Sequence, residues 1–89
     1  MELAHTVDMM LSDDPIERLK AEYYQTQNRV DELRTFLRAV EDGEKDLPPN
    51  TTYNLLNRQY QTMLVYLNIL EERLELLHTK NTLGVESWR

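Results

Sequence analysis

Two runs of residues, each stepping by alternating threes and fours, restrict what this chain can fold into more than any other feature. The first is Ile16, Leu19, Tyr23, Thr26, Val30, Leu33, Leu37 and Val40, and the second is Tyr53, Leu56, Tyr60, Met63, Leu67, Leu70, Leu74 and Leu77. A repeat of about 3.5 residues keeps side chains on one side of an α-helix and offers them as a seam to a second helix. Thr26 interrupts the first seam with a polar group. In an antiparallel pair, facing residues have position numbers that sum to a constant, and one constant serves both runs. Setting Leu37 opposite Leu56 places Leu33 by Tyr60, Val30 by Met63, Thr26 by Leu67, Tyr23 by Leu70, Leu19 by Leu74 and Ile16 by Leu77. The spacing therefore predicts an all-α fold, an antiparallel two-helix coiled-coil hairpin.

Local signals set its limits. Asp14 can cap a helix, Pro15 suits the first turn, and Glu17 stands three residues after the cap. Gly43 tolerates the left-handed geometry that ends many helices, and Pro48-Pro49 cannot continue a helix interior. The hairpin is thus expected over residues 14–84, with helices at about 14–42 and 51–83, a loop at 43–50, and Gly84 as the final stop. Residues 1–13 form an N-terminal arm in which Leu3, Ala4, Val7, Met10 and Leu11 have helical spacing. A helix that short is marginal alone, so it must pack on the hairpin, pack on a neighbouring copy, or fray. Residues 85–89 are a tail whose one large apolar group is Trp88.

A single hairpin leaves apolar surface over. Leu55, Leu64, Tyr66, Ile69 and Leu76 lie outside the second seam, as Phe36 lies outside the first. A helix apolar beyond one stripe is usually covered on more than one side, which predicts a homo-oligomeric helical bundle with those five residues of the second helix at the interface. Size argues the same way. A chain of 89 residues buries a modest share of its surface, and without a cysteine it has no disulfide to compensate. The missing stabilisation then comes from partner subunits.

Charge and composition exclude several functions. The first residues carry no positive charge, and no apolar run approaches the roughly 20 residues that cross a bilayer, so neither secretion nor a membrane partner is expected. A net charge of -6 argues against duplex nucleic acid, whose affinity comes from clustered Lys and Arg. Catalysis lacks its usual parts: two glycines make no phosphate loop, and no nucleophile stands with a base. Glu75-Leu76-Leu77-His78 has the Glu-x-x-His spacing of di-iron bundles, but Leu74 and Leu77 own the seam while Glu75 and His78 flank it. No metal, no cofactor and no enzymatic activity are expected.

More unusual is an uncharged polar and aromatic surface. The segments Asn50 to Asn68 and Tyr23 to Arg29 are rich in Tyr, Asn, Gln and Thr, where solvated helices normally carry Lys and Glu. Such surface suits a polar subunit interface, or a ligand pocket built into one. Tyr23, Tyr24, Gln27, Tyr60 and Tyr66 are the candidates to stack on and read a ligand, with Arg34, Arg38 and Arg58 to hold phosphate. Arg34 and Arg38 are one turn apart and either grip a phosphate together or pair with Asp31 and Asp42.

The segment Glu17-Arg18-Leu19-Lys20-Ala21-Glu22-Tyr23, the stretch Leu33 to Leu37, Leu55-Leu56, and Met63 to Arg73 together resemble a family of small phage and prophage proteins named after a crAss-like phage gene product. The resemblance spans roughly residues 14 to 78 and consists of spaced apolar and charged positions. It implies a phage-encoded accessory protein acting in the cytoplasm of a bacterial host, and it brings no catalytic residues with it. In architecture, small oligomeric helical hairpins resemble phage sponge proteins that sequester nucleotide signals of bacterial immunity. The expected function is accordingly a counter-defence protein that binds and sequesters a small nucleotide-derived signal. The alternative is an adaptor that docks on a host or phage protein through its helical surface.

Overall fold

The computed structural model describes the backbone of residues 3–82 and the side chains of residues 6–77. Its elements are α1 (Leu3–Met10), α2 (Pro15–Glu41) and α3 (Tyr53–Thr82), and there is no strand among the described residues. The expected stop at Gly84 and the tail with Trp88 lie outside them.

The ends of α2 are built by the residues that announced them. Asp14 is the N-cap, its carboxylate accepting from the Ile16 amide at 2.9 Å, with Pro15 in the first turn. At the other end Gly43 sits at φ +76, the Gly43 amide donates to the Val40 carbonyl at 3.1 Å, and the Glu44 amide to the Ala39 carbonyl at 2.8 Å. Those two bonds are a Schellman closure, which satisfies the last carbonyls of the helix. After the prolines, the Thr52 hydroxyl accepts from the Leu55 amide at 3.2 Å and starts α3. The connection between the long helices therefore occupies residues 42–52, slightly longer than the loop expected from the prolines and Gly43.

α2 and α3 pack against each other along the expected seam. Leu19, Tyr23, Leu70 and Leu74 form the buried cluster, with Tyr24, Leu67 and Leu77 packed on it, and Val30 and Leu37 continue the line of burial towards the loop. Cross-links at both ends keep the same register: the Tyr23 hydroxyl reaches Glu71 at 3.5 Å, Arg34 donates to Tyr60 at 3.0 Å, and Tyr53 donates to Glu41. Full burial of a leucine contributes roughly 1.5–3 kcal/mol, so Leu70 and Leu74, both essentially sealed from solvent, anchor the open end of the hairpin.

Among the described residues α1 packs on α2 and not on α3, so α2 is the middle helix. Gln25 ties the two together, donating to the Thr6 hydroxyl at 3.0 Å and to the Met10 sulfur. Thr6 is completely buried, and so is Ala21, one turn before Gln25 on the same side of α2. Of the three fates open to the arm, docking on its own hairpin is the one observed.

Candidate ligand groove

Residues that directly precede a seam residue lie on one flank of a helix, and those that directly follow it lie on the other. On α2 the preceding flank reads Arg18, Glu22, Gln25, Arg29, Glu32 and Phe36, one step before Leu19, Tyr23, Thr26, Val30, Leu33 and Leu37. This flank forms the floor of a groove. Met10 of α1 stands on one side of it and Tyr66 of α3 on the other, with Arg18, Glu22, Gln25, Thr26 and Arg29 between them, enclosing about 410 Å³. A second, shallower cleft continues it along α2 and α3, sharing Thr26, Arg29 and Tyr66 and extending to Phe36, Gln59 and Met63.

The polar groups in the groove are mostly held in place. Arg18 donates through Nη1 to the Ser12 carbonyl at 2.8 Å, which fixes it beside the α1–α2 turn. Tyr66 donates its hydroxyl to the Glu22 carboxylate and so bridges α3 to α2. Gln25 is oriented by Thr6 and Met10. Arg29 is exposed and makes no hydrogen bond or ion pair among the described residues. It lies three turns beyond Arg18, roughly 16 Å along the axis at about 1.5 Å per residue, a span that flexible arginine stems can narrow considerably. Two cations, one of them uncommitted, thus share a concave surface with an aromatic ring and an amide.

The residues expected to bind a ligand are distributed differently from that expectation. Tyr66 lines the groove. Tyr23 is in the core, and Tyr24 meets it edge-on with ring centroids 5.4 Å apart. Arg34 and Arg38 follow Leu33 and Leu37, which puts them on the flank away from the groove. They do not combine: Arg34 donates to Tyr60, lies 5.9 Å from the centroid of that ring and pairs with Asp31 at 3.2 Å, while Arg38 is exposed. The bond to Tyr60, more than the nearby Asp31, holds the Arg34 guanidinium even more firmly charged than usual. Gln27 is half-buried and lines neither cleft. Arg58 lines a further shallow cleft on α3 with Leu55 and Thr62, one that shares Gln59 and Met63 with the second cleft. Arg18 and Arg29, which are not among the expected ligand-binding residues, line the groove, and their position one step before the seam is visible in the spacing.

Among the interface candidates, Leu55, Tyr66, Ile69 and Leu76 are exposed, joined by Val65, whereas Leu64 is half-buried. Among the described residues no three His, Asp or Glu side chains stand together as metal ligands; Glu75 is exposed, and the side chain of His78 lies outside them. No helix among the described residues is long and apolar enough to cross a membrane.

The sequence model of the Sequestin family matches residues 13–76, nearly the whole hairpin up to its last seam residue. The chain belongs to the Sequestin family. The Sequestin match begins one residue before the α2 cap and includes every groove residue except Met10, so α1 lies outside the matched stretch. Nothing among the curated proteins or the solved structures matches the chain.

Proposed function

We propose that this Sequestin is a phage-encoded, non-enzymatic counter-defence protein that captures a nucleotide-derived immune signal in the cytoplasm of its bacterial host, and that it works as a homo-oligomer. The observation that carries this reading is the groove in which Arg18 and Arg29 flank Gln25 opposite Tyr66. A nucleotide presents phosphate, an aromatic base and polar edges. Arginine binds phosphate oxygens in a two-pronged, charge-assisted way, a tyrosine ring offers a face for a base, and an amide offers both donor and acceptor. A cleft of about 410 Å³ falls in the range of roughly 300–1,000 Å³ usual for small-molecule sites. The family name, with its sense of sequestering, supports capture without turnover. An acidic chain is compatible with an anionic ligand, because binding depends on the local potential that the two arginines create.

Glu22 shapes the chemistry. Its carboxylate lies one turn from Arg18 and accepts from Tyr66, so it disfavours an anion at that point and suits a ligand whose hydroxyl or amine falls between its phosphates and its base. The test is calorimetry of the pure protein against cyclic oligonucleotides and ADP-ribose derivatives, followed by denaturation and recovery of the ligand. One compound should bind and return intact, and Arg29→Ala should weaken it at least tenfold, about 1.4 kcal/mol. Absence of binding across the panel, with capture of one defined host protein instead, would replace this reading with the adaptor one.

A further inference from the structure

One exposed face of α3 carries a second stripe at heptad spacing, apolar at both ends and near its middle. The residues that precede its seam are Leu55, Gln59, Thr62, Tyr66, Ile69, Arg73 and Leu76, with steps that alternate between four and three. Four of them, Leu55, Tyr66, Ile69 and Leu76, are exposed large apolar groups, Leu76 at 71%. All seven side chains are exposed, with the Tyr66 hydroxyl bonded to Glu22 of the same chain.

We infer that the stripe is the docking surface for a second copy of this chain, whose α3 runs antiparallel to the first with the two-fold axis passing beside Tyr66. In that register Leu55 meets Leu76 of the other copy, Gln59 meets Arg73, Thr62 meets Ile69, and the two Tyr66 rings face each other. Position numbers sum to 131 or 132 at every pair, by addition of the residue numbers. Such an interface is isologous, each half of the stripe serving as the partner of the other half, which is what a closed dimer requires.

Charge selects the antiparallel direction. From Tyr53 to Val65 the helix carries Arg58 alone, whereas from Tyr66 to Leu77 it carries Glu71, Glu72 and Glu75 against Arg73. Antiparallel packing lays the positive half on the acidic half twice over and opposes the helix dipoles, while parallel packing would set like on like. This inference rests on the homo-oligomer reading and adds its geometry. It also gives Tyr66 two duties: the residue that walls the ligand groove is the one on the symmetry axis, so the partner copy extends the wall and the two grooves adjoin.

The chain has no cysteine, so single thiols can be introduced one at a time. Leu55→Cys and Leu76→Cys are made separately, and each is oxidised alone and after mixing. The expected result is a disulfide-linked pair only in the mixture, because each thiol lies near the other kind and far from its own. Linkage of Leu55→Cys to itself would overturn the antiparallel register. No linkage in any sample, with light scattering still showing an oligomer, would overturn the α3 pairing and leave the oligomer reading standing. A monomer at micromolar concentration would overturn both. Ile69→Glu provides a second check: the side chain is half exposed in the single hairpin, so the helical circular dichroism spectrum should persist while the mass falls to that of one chain.

Discussion

Gly43 and Tyr53 show how much of the loop end of this hairpin depends on single groups. A Cβ added at Gly43 would meet nothing within 4 Å, so the whole cost of Gly43→Ala comes from holding an L-residue at φ +76. About 1 kcal/mol is expected, read as a lower thermal midpoint in circular dichroism. Tyr53 ties the start of α3 to the end of α2 through Glu41. The hydrogen bond to that carboxylate, with some burial and the negative charge itself, pushes the Tyr53 hydroxyl above its ordinary value near 10. A raised pKa in the folded state means that the folded chain holds this proton more tightly than the unfolded one. The stabilisation is therefore complete below about pH 10 and is lost as the pH rises through the raised value. Tyr53→Phe should flatten that part of the alkaline stability profile and leave the neutral range shifted by a constant amount.

At the level of elements, α2 is held from two sides by different means. α3 is fixed by a continuous apolar seam, and Leu74→Ala, in the sealed part of it, should cost roughly 2–5 kcal/mol by transfer and cavity terms. α1 packs along α2 and is tied to it by the Gln25 amide, which reaches Thr6 and Met10, with Thr6 and Ala21 fully buried nearby. A short terminal helix whose Val7 and Met10 side chains stay exposed opens at a free energy well below that of global unfolding. Hydrogen exchange should accordingly show α1 amides exchanging before those of α2, and Gln25→Ala should accelerate α1 alone. The same substitution should weaken ligand binding, since Gln25 itself lines the groove and α1 is one wall of it.

For the whole molecule, the two long helices share one narrow seam, and much of α3 faces outward. A bundle completed by a second copy shares its stability with its concentration, because dissociation and unfolding are then linked. The thermal midpoint should rise on a hundredfold increase in protein concentration, and this dependence should vanish in Ile69→Glu. A midpoint independent of concentration in the parent chain would mean that the hairpin stands alone.

The spacing of the seams determined the hairpin and its register, because a helix of known pitch and an antiparallel partner leave one arrangement that buries Leu19, Tyr23, Leu70 and Leu74 together. Asp14, Pro15, Gly43 and the two prolines determined most of the boundaries through local backbone chemistry. What they did not determine was which flank of α2 becomes a groove. Arg34 and Arg38 looked as available as Arg18 and Arg29, since both pairs border the seam. Only the docking of α1 walls one flank, and that docking depends on contacts across the Ser12 turn, Thr6 to Gln25 and Ser12 to Arg18, which no periodicity encodes. Tyr23 moved from candidate ligand group to core for a related reason: a tyrosine on a seam buries its ring and needs only one polar partner at its tip, which Glu71 supplies.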